Sequence, residues 1–468
     1  MKCSKLFLSL LGVASLVSCH DAGSQPTNQV FTPMYAIKNV TIVDVENGVA
    51  IPEQTVIIVG EQITQSGGRE NVSIPQGATV INGEGLYLMP GLVDAHVHYY
   101  DAPIFGRLMI ANGVLLVRDM GMPNEYILPL RDELNRGETL GPQMVTTGFI
   151  LDGDPPIIPL ISVGITSPDQ GRAVVRQQAE AGVDMIKTYS RLEKDVFLAI
   201  LDEAQKYDLP VAAHLPESIY IEDAAAAGLA SSEHFNGFEK VIAQLLGEPA
   251  RFYFAGLAAD AGYLARLGEV DSEELRAVYE RLGESGLTVC PTVVTFNTLT
   301  HISAIQGGSF FGSQYISQNV LEMWKALWTQ QSDLPDFIWR NWMQMVVGLN
   351  RAGVPLMVGT DLMLPGIVPG FSVHEEMAIW QEAGIPAADI LRSATIVPAQ
   401  FMGLGNRLGS VDVGKTASIV LVRGNPLEDI RNTQQIEGLF LRGQYFTRSD
   451  LDRLLDEAKE FALQSITP

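Results

Sequence analysis

Two histidines separated by one residue form the first group in the sequence that could bind a metal ion. His96 and His98 end the segment Leu92-Val93-Asp94-Ala95-His96-Val97-His98, which follows Met89-Pro90-Gly91. Side chains two positions apart on a strand point to the same face, so we expect both imidazoles to enter one space. The pair alone is a weak signal, because the same spacing also occurs in histidines with a purely structural role.

Two further histidines follow short segments that predict strands. His214 comes directly after Val211-Ala212-Ala213, and His234 follows Ser231-Ser232-Glu233, one strand–helix step later. Each alone is more often a core histidine than a ligand, but four histidines at strand ends favour a metal site. Neutral imidazoles suit zinc, or manganese and iron where carboxylates complete the ligand set.

An aspartate and a lysine are predicted to share this interior. Asp361 ends the apolar segment Val358-Gly359-Thr360, and a buried carboxylate is costly unless a cation lies beside it. Lys187 ends Asp184-Met185-Ile186, where an ammonium would be equally costly. Carbamylation by CO₂ would make it a carboxylate able to bridge two metal ions; the alternative is a surface lysine whose stem covers apolar residues.

Several polar residues near these ligands are candidates for substrate contacts. Tyr189 lies two residues beyond Lys187, on the same face of a strand, and could donate a hydrogen bond to a substrate oxygen; the alternative is a packing tyrosine. Tyr99, Tyr100 and Asp101 follow the first histidine pair and could line the mouth of a pocket. His374, in the capping-box pattern Ser372-Val373-His374-Glu375, is either a substrate contact or a surface residue at a helix start.

The elements that must position these residues alternate between short apolar strands and amphipathic helices from residue 88 to 404. Helices are predicted at Asp195 to Tyr207 and Ser272 to Leu282, for example, and an apolar strand at 355–361. So many β-α units predict an α/β fold of the (β/α)₈ TIM-barrel type, with the histidines at the carboxyl ends of its strands. The rival, a doubly wound open sheet, would want a G-x-G-x-x-G turn after its first strand, which we do not find.

The two ends of the chain have a different pattern. Residues 34–87 and 405–448 are rich in short β-branched segments and glycine turns, which predicts one composite β-sandwich built from both ends. Residues 449–468 predict a C-terminal helix. Four of the five tryptophans lie between 297 and 350, at spacings that fit either helix packing or an aromatic lid over the site.

Composition excludes several classes of protein. The 468 residues are 47% hydrophobic, which excludes a disordered chain, and the net charge of −23 argues against nucleic acid as a partner. Three cysteines cannot form a disulfide framework.

The N-terminus predicts export and lipidation. Residues 1–18 combine a basic start with a short apolar run, as in a signal peptide, and residues 19–33 form a polar tether. The segment Leu16-Val17-Ser18-Cys19 resembles a bacterial lipobox, in which Cys19 would be lipidated; the alternative is an ordinary signal peptide with an incidental cysteine. The expected location is the bacterial cell envelope, with contact to the membrane only through this lipid.

Taken together, these motifs resemble those of the amidohydrolase superfamily, in its imidazolonepropionase-like and prolidase-like branch. The resemblance covers nearly everything after the tether. It rests on the segments 89–98, 181–187, 213–214, 233–234 and 359–361, and on the closing Gly409-Ser410-Val411-Asp412-Val413-Gly414-Lys415. One departure is Ser418, where the family commonly has aspartate; it lies in the predicted sandwich, away from the chemistry.

The resemblance implies a binuclear metal site and a hydrolase. His96, His98 and Asp361 would hold one divalent ion, His214 and His234 the other, and carbamylated Lys187 would bridge them; zinc is the favoured metal. A metal-bound hydroxide would attack a small-molecule amide, dipeptide, N-acyl amino acid or cyclic amide, with Asp361 as general base and then general acid. Tyr189 would assist.

Two other functions stay open at this point. The same metals could hydrolyse lactones or phosphoesters, or the protein could be a surface-tethered binding protein with a decayed site. All six expected ligands are present, which disfavours decay. Substrate, metal identity and homo-oligomerisation are not readable from the chain.

Replacing Cys19 tests the anchor. Cys19→Ala should move the protein from the membrane fraction to the soluble fraction and leave activity in extracts unchanged. The residue after Cys19 is His20, whereas an aspartate there resembles an inner-membrane retention signal, so outer-membrane sorting is expected. Cys290→Ala is the control, and membrane fractionation that is unchanged in Cys19→Ala would exclude Cys19 as the anchor.

Overall fold

The computed structural model describes residues 32–248, 265–327, 333, 335–362 and 364–464. The predicted signal peptide and Cys19 lie outside these ranges, as does the tether except for Thr32 and Pro33. Among the described residues, no helix is long and apolar enough to cross a membrane.

The described strands and helices alternate through the middle of the chain. The strands are β1 Met34–Asp44, β2 Val49–Val59, β3 Gln62–Gly68, β4 Thr79–Asn82, β5 Tyr87–Pro90, β6 Leu92–Val97, β7 Val114–Asp119, β8 Gln143–Thr146, β9 Ile150–Gly153, β10 Ser162–Ile165, β11 Ile186–Thr188, β12 Val211–Ala213, β13 Ser231–Glu233, β14 Thr288–Cys290, β15 Ile419–Val422, β16 Ile436–Leu441 and β17 Gln444–Thr447. The α-helices are α1 Ala102–Ala111, α2 Asn124–Arg136, α3 Pro168–Ala181, α4 Lys194–Gln205, α5 Ile221–Ala226, α6 Phe238–Leu245, α7 Ser272–Ser285, α8 Val293–Thr298, α9 Ile302–Gln306, α10 Gln318–Leu327, α11 Asp336–Arg351, α12 Phe371–Glu382, α13 Ala387–Ser393, α14 Ile396–Phe401 and α15 Arg448–Gln464. Short 3₁₀ turns lie at Leu267–Glu269, Ser313–Tyr315 and Ile430–Gln434.

Parallel strands carry the predicted ligands in two hydrogen-bonded sheets. The larger sheet has the order β10-β9-β11-β12-β13-β14, and the smaller one has the order β6-β7-β8. Every strand pairing within the two sheets is parallel. The carboxyl ends of β11, β12 and β13 therefore meet at one edge, and the residues that follow these strands come together there.

An extended segment at 355–362 contacts both sheets. Val289 of β14 pairs in parallel with Leu356, and Val97 of β6 pairs in parallel with Leu362. These are single bridges, so the predicted strand at 355–361 is a connection rather than a regular ladder strand. The architecture is a mixed α/β fold, and the described strands do not form one continuous eight-stranded barrel ladder.

Both ends of the chain contribute to a third sheet. Eight strands share it, in the order β17-β16-β15-β5-β1-β2-β3 with β4 beside β1, and β15 pairs antiparallel with β5. The predicted sandwich is thus one hydrogen-bonded sheet made from N- and C-terminal strands. Its apolar side chains form a separate core cluster that includes Ile37, Val56, Leu88, Ile419 and Phe440.

A buried glutamate of α12 fixes the start of α8, directly after β14. The Glu376 carboxylate accepts hydrogen bonds from the backbone N–H groups of Val293 (3.0 Å) and Val294, and from Trp380 Nε1 (2.9 Å). Burial outweighs these donors and raises the pKa of Glu376 to about 8. The folded state therefore holds this proton more tightly than the unfolded chain does.

The Glu376 proton should leave a signature in the pH dependence of stability. Its stabilising contribution is present at low pH and is lost as pH rises from the ordinary glutamate range towards 8. Glu376→Gln should flatten the fall of unfolding free energy between about pH 5 and pH 8, by up to about 1.4 kcal/mol per pH unit. Denaturant titrations measure this slope, with Glu382→Gln on the exposed face of the same helix as control. Equal slopes in Glu376→Gln and wild type would contradict the expectation.

Candidate metal centre

Four histidine rings converge at the carboxyl ends of three strands. His96 lies in β6 and His98 follows it, His214 follows β12 and His234 follows β13. The ring centroid of His96 lies 5.7 Å from that of His98 and 4.4 Å from that of His234, and the centroids of His214 and His234 are 5.6 Å apart. The structure therefore brings together all four histidines that the sequence singled out as ligands.

Each of the four rings is anchored through Nδ1. The partners are the Glu233 carboxylate for His96 (2.8 Å), the Gly121 carbonyl for His98 (2.9 Å), the Ser190 hydroxyl for His214 and the Thr292 hydroxyl for His234 (2.7 Å). Carboxylate and carbonyl oxygens only accept, so they place the proton on Nδ1 and the lone pair on Nε2. The hydroxyl groups can accept in the same way. Proteins orient metal-binding histidines in this way: one ring nitrogen is hydrogen-bonded to the protein, and the other is left to bind the metal.

The four imidazoles are kept neutral. Burial lowers the pKa of His98 and brings the pKa values of His96, His214 and His234 well below the ordinary range; the nearby Lys187 charge lowers all four further. Neutral imidazole is the form that donates a lone pair to a metal ion.

Asp361 completes the group at the end of the extended segment. One of its carboxylate oxygens lies 3.5 Å from His96 Nε2 and 3.6 Å from His98 Nε2, and the other lies 4.0 Å from His234 Nδ1. The first two separations are long for hydrogen bonds but close to the roughly 3.3 Å that separates two tetrahedral ligands of one zinc ion. Burial raises the pKa of Asp361 to about 7. His96, His98 and Asp361 thus fit a single divalent cation.

Lys187 lies in β11 with its ammonium buried. Within the described residues, Nζ has no hydrogen-bond partner, which is exceptional for a buried amine. Burial lowers its pKa to about 8, although Glu233 opposes this shift. The bridge that the family resemblance implies at Lys187 stays a prediction.

Tyr189 follows β11 and packs on one of the four histidines. Its ring centroid is 4.2 Å from that of His214, at an interplanar angle of 31°. Burial raises the pKa of its phenol, so the hydroxyl stays protonated near neutral pH and can donate. The structure places Tyr189 beside His214, and its role as a donor to the substrate stays a prediction.

Two predicted substrate contacts are wrong. The Tyr99 ring is fully buried in the main hydrophobic core against Phe105, so it does not line a pocket mouth. Both ring nitrogens of His374 are bound elsewhere, Nδ1 to the Thr433 hydroxyl (2.8 Å) and Nε2 to the Asn112 carbonyl (2.9 Å). This histidine is neither on the surface nor available to a substrate, because it ties α12 to the end of α1.

The remaining residues after the first histidine pair lie nearer the surface. Tyr100 is exposed, and its ring packs edge-on against Phe105. Asp101 caps the start of α1 by accepting from the backbone N–H of Ile104. A role for Tyr100 at a pocket mouth stays a prediction.

Two charged residues beside the site were missed by sequence reasoning. Glu233, which precedes a predicted ligand, forms an ion pair with Arg118 of β7, and both side chains are fully buried. Arg118 lies in Val114–Asp119, which reads as an ordinary buried strand. A charged residue inside such an apolar run was the available signal, because a buried arginine needs a carboxylate partner.

The tryptophans between residues 297 and 350 differ in their surroundings: one is packed in the core, and another lies near the site. Trp324 is buried against Phe310, as helix packing predicts, whereas Trp328 lies outside the described residues. Trp342 stacks on Phe296 at 4.1 Å and lines a narrow cleft that also includes His234. One tryptophan is therefore next to a predicted ligand, in the wall of the cleft.

This chain is similar to known proteins in its sequence. The family model for the amidohydrolase family matches residues 87–445. Among characterised proteins, the chain is 23% identical over 410 residues to the ochratoxinase of Aspergillus niger, covering 74% of this chain and 72% of the ochratoxinase.

Solved structures share the fold. A bottromycin amidohydrolase aligns with a TM-score of 0.73 and 23% identity, over 92% of this chain and 90% of its own. A Xaa-Pro dipeptidase with methionine bound in its active site aligns with a TM-score of 0.63 and 20% identity, over 88% and 100% respectively.

Proposed function

The chain belongs to the amidohydrolase family, and we propose that it is a metal-dependent hydrolase that cleaves C–N bonds in small amides. The observation that carries this proposal is the convergence of four histidines, each anchored through Nδ1, with the Asp361 carboxylate close to three of them. The names of the ochratoxinase, the bottromycin amidohydrolase and the Xaa-Pro dipeptidase support an amide substrate. Dipeptides, N-acyl amino acids and cyclic amides are the substrate classes to test.

The two parallel sheets would form the wall of one (β/α)₈ barrel. The bridges from the extended segment 355–362 to β14 and β6 support this, because they link an edge strand of each sheet. The site then lies at the carboxyl-terminal rim, where barrel enzymes assemble their catalytic groups.

The predicted ligands include one group that can hold a cation, and the proposal places a second ion beside it; zinc suits both sets of ligands. His96, His98 and Asp361 would hold one ion, and His214 and His234 the other, with a carbamate on Lys187 between them. When bound, the ions supply a nucleophilic water near neutral pH and polarise the substrate carbonyl. The family resemblance and the unpartnered Lys187 amine support the bridge.

Asp361 and Tyr189 perform the proton and hydrogen-bond chemistry in this proposal. The Asp361 carboxylate accepts the proton of the attacking water and returns it to the departing amine nitrogen, so that it acts as base and then as acid. The protonated Tyr189 hydroxyl donates a hydrogen bond to the substrate carbonyl oxygen, or to a carboxylate elsewhere in the substrate. The four histidines cannot share this work while their Nε2 lone pairs are engaged.

The cellular setting is part of the proposal. Lipidation of Cys19 would hold the enzyme at the bacterial cell envelope, with its catalytic part facing small amides outside the cytoplasm. The strong negative charge of the chain argues against nucleic acid as a partner.

A hydrolysis screen combined with one substitution tests the activity. The zinc-loaded protein should release amines from at least one of the three amide classes, while Asp361→Asn should lower kcat by about 1,000-fold or more, because it removes the proton shuttle and one ligand. Asp456→Asn, on the exposed face of α15, is the matched control. Turnover of lactones or phosphotriesters with no amide turnover, or near-normal kcat in Asp361→Asn, would contradict the proposal.

The proposed carbamate bridge on Lys187 can be tested separately. Lys187→Ala should be metal-poor and inactive, and a small carboxylate such as propionate should restore part of both, because it can replace the carbamate oxygens. Reconstitution of the metal-free enzyme should be faster with bicarbonate present. Lys194→Ala, an exposed lysine at the start of α4, is the control. A plain amine in high-resolution density, with bicarbonate having no effect, would exclude the bridge.

A further inference from the structure

One of the four anchored histidines differs from the others because its partner is charged. His98, His214 and His234 are held by a carbonyl or a hydroxyl group, whereas His96 Nδ1 is held by the Glu233 carboxylate. The side chain of Glu233 is fully buried. A buried carboxylate needs compensation, and this is what Arg118 supplies.

Arg118 compensates Glu233 through a network that spans the interior. Its Nη2 donates to both Glu233 carboxylate oxygens (3.0 and 2.8 Å), its Nη1 donates to Ser231 Oγ (3.1 Å), and its Nε donates to the Ala95 carbonyl. The Ser231 hydroxyl donates to Glu233 at 2.6 Å. The guanidinium carbon also lies 5.3 Å from the centroid of the Phe401 ring, and this ring covers one face of the guanidinium group.

This network ties the two parallel sheets together at the site. Arg118 belongs to β7 and Ala95 to β6 in the three-stranded sheet, whereas Ser231 and Glu233 belong to β13 in the six-stranded sheet. The position of His96 relative to His234, the residue after Glu233, is therefore set by an ion pair and not by apolar packing alone.

We propose that Arg118 and Glu233 are positioning residues, whose buried ion pair holds His96 by Nδ1 so that its Nε2 faces Asp361. The inference rests on the proposed metal-dependent function but concerns residues outside the ligand set. Glu233 accepts from His96, Arg118 and Ser231 at once, and only a carboxylate has enough acceptor positions for all three. A glutamine has no charge and one acceptor oxygen, and its NH₂ group must face either His96 Nδ1 or the Arg118 and Ser231 donors, so it no longer fixes the His96 tautomer.

Zinc affinity tests the proposal without reference to turnover. The metal-free full-length protein is titrated with zinc alone, in competition with a chelator. Glu233→Gln should weaken zinc binding by about 10–100-fold, the usual effect of losing the group that orients a ligand histidine. Arg118→Lys keeps the charge but loses the fork of donors, and should weaken binding by less. Glu203→Gln removes a buried carboxylate of α4 that pairs with Arg176 of α3, and should leave the zinc affinity unchanged.

The thermal stability of a single and a double variant provides a second measurement. Arg118→Met alone leaves the Glu233 charge buried without its partner, so it should lower the Tm more than the double variant Arg118→Met/Glu233→Gln does. If the single variant does not fold, the double variant still reports zinc affinity, which should stay weakened.

Nitrogen-15 NMR of labelled histidine in the metal-free protein separates this proposal from the proposed function. Wild type should show His96 as the Nδ1–H tautomer, and Glu233→Gln should show a mixture. Wild-type zinc affinity in Glu233→Gln, or an unchanged His96 tautomer, would overturn the positioning role. If the wild-type protein keeps this tautomer but binds no zinc, the proposed metal-dependent function is contradicted, whereas the positioning role is not.

Discussion

The anchoring of all four histidine rings through Nδ1 is the constraint on which the rest of the structure depends. It frees four Nε2 lone pairs at one place, and burial keeps the rings neutral so that the lone pairs are available. Each anchor comes from a different element: Gly121 after β7, Ser190 after β11, Glu233 of β13 and Thr292 after β14. The site is therefore a property of how the strands lie beside one another, and no single motif could create it.

The backbone around the site supports the same arrangement. His234, Phe235, Thr292 and Asp361 all have positive φ angles, a conformation that non-glycine residues adopt at some cost. Each lies just past a strand or extended segment, where the turn directs a side chain inwards. Asp94 stabilises the turn before Asp361 by accepting from the Thr360 hydroxyl (2.6 Å) and backbone N–H (3.0 Å). Four of the eight described non-glycine residues with positive φ therefore lie at the site.

The placement of the ligands could be predicted from the sequence, because side chains at the carboxyl ends of parallel strands must meet. This reasoning found the convergence of the histidines with Asp361, and it found the buried Lys187. It could not identify the partner of Arg118 or predict that His374 is fully bonded, because these contacts join residues more than 50 positions apart and no local pattern encodes the rotamers that make them. The sequence also predicted a regular strand at 355–361, but the segment turns at Asp361, where φ is positive, and this turn directs the Asp361 side chain to the site.

Anomalous diffraction at the zinc edge, from crystals of the zinc-loaded protein, tests the central claim most directly. The account predicts a peak in bonding contact with Nε2 of His96 and His98 and with the Asp361 carboxylate, and a second peak at Nε2 of His214 and His234. Zinc bound through any Nδ1, or no peak at this edge of the sheets under zinc-replete conditions, would contradict it.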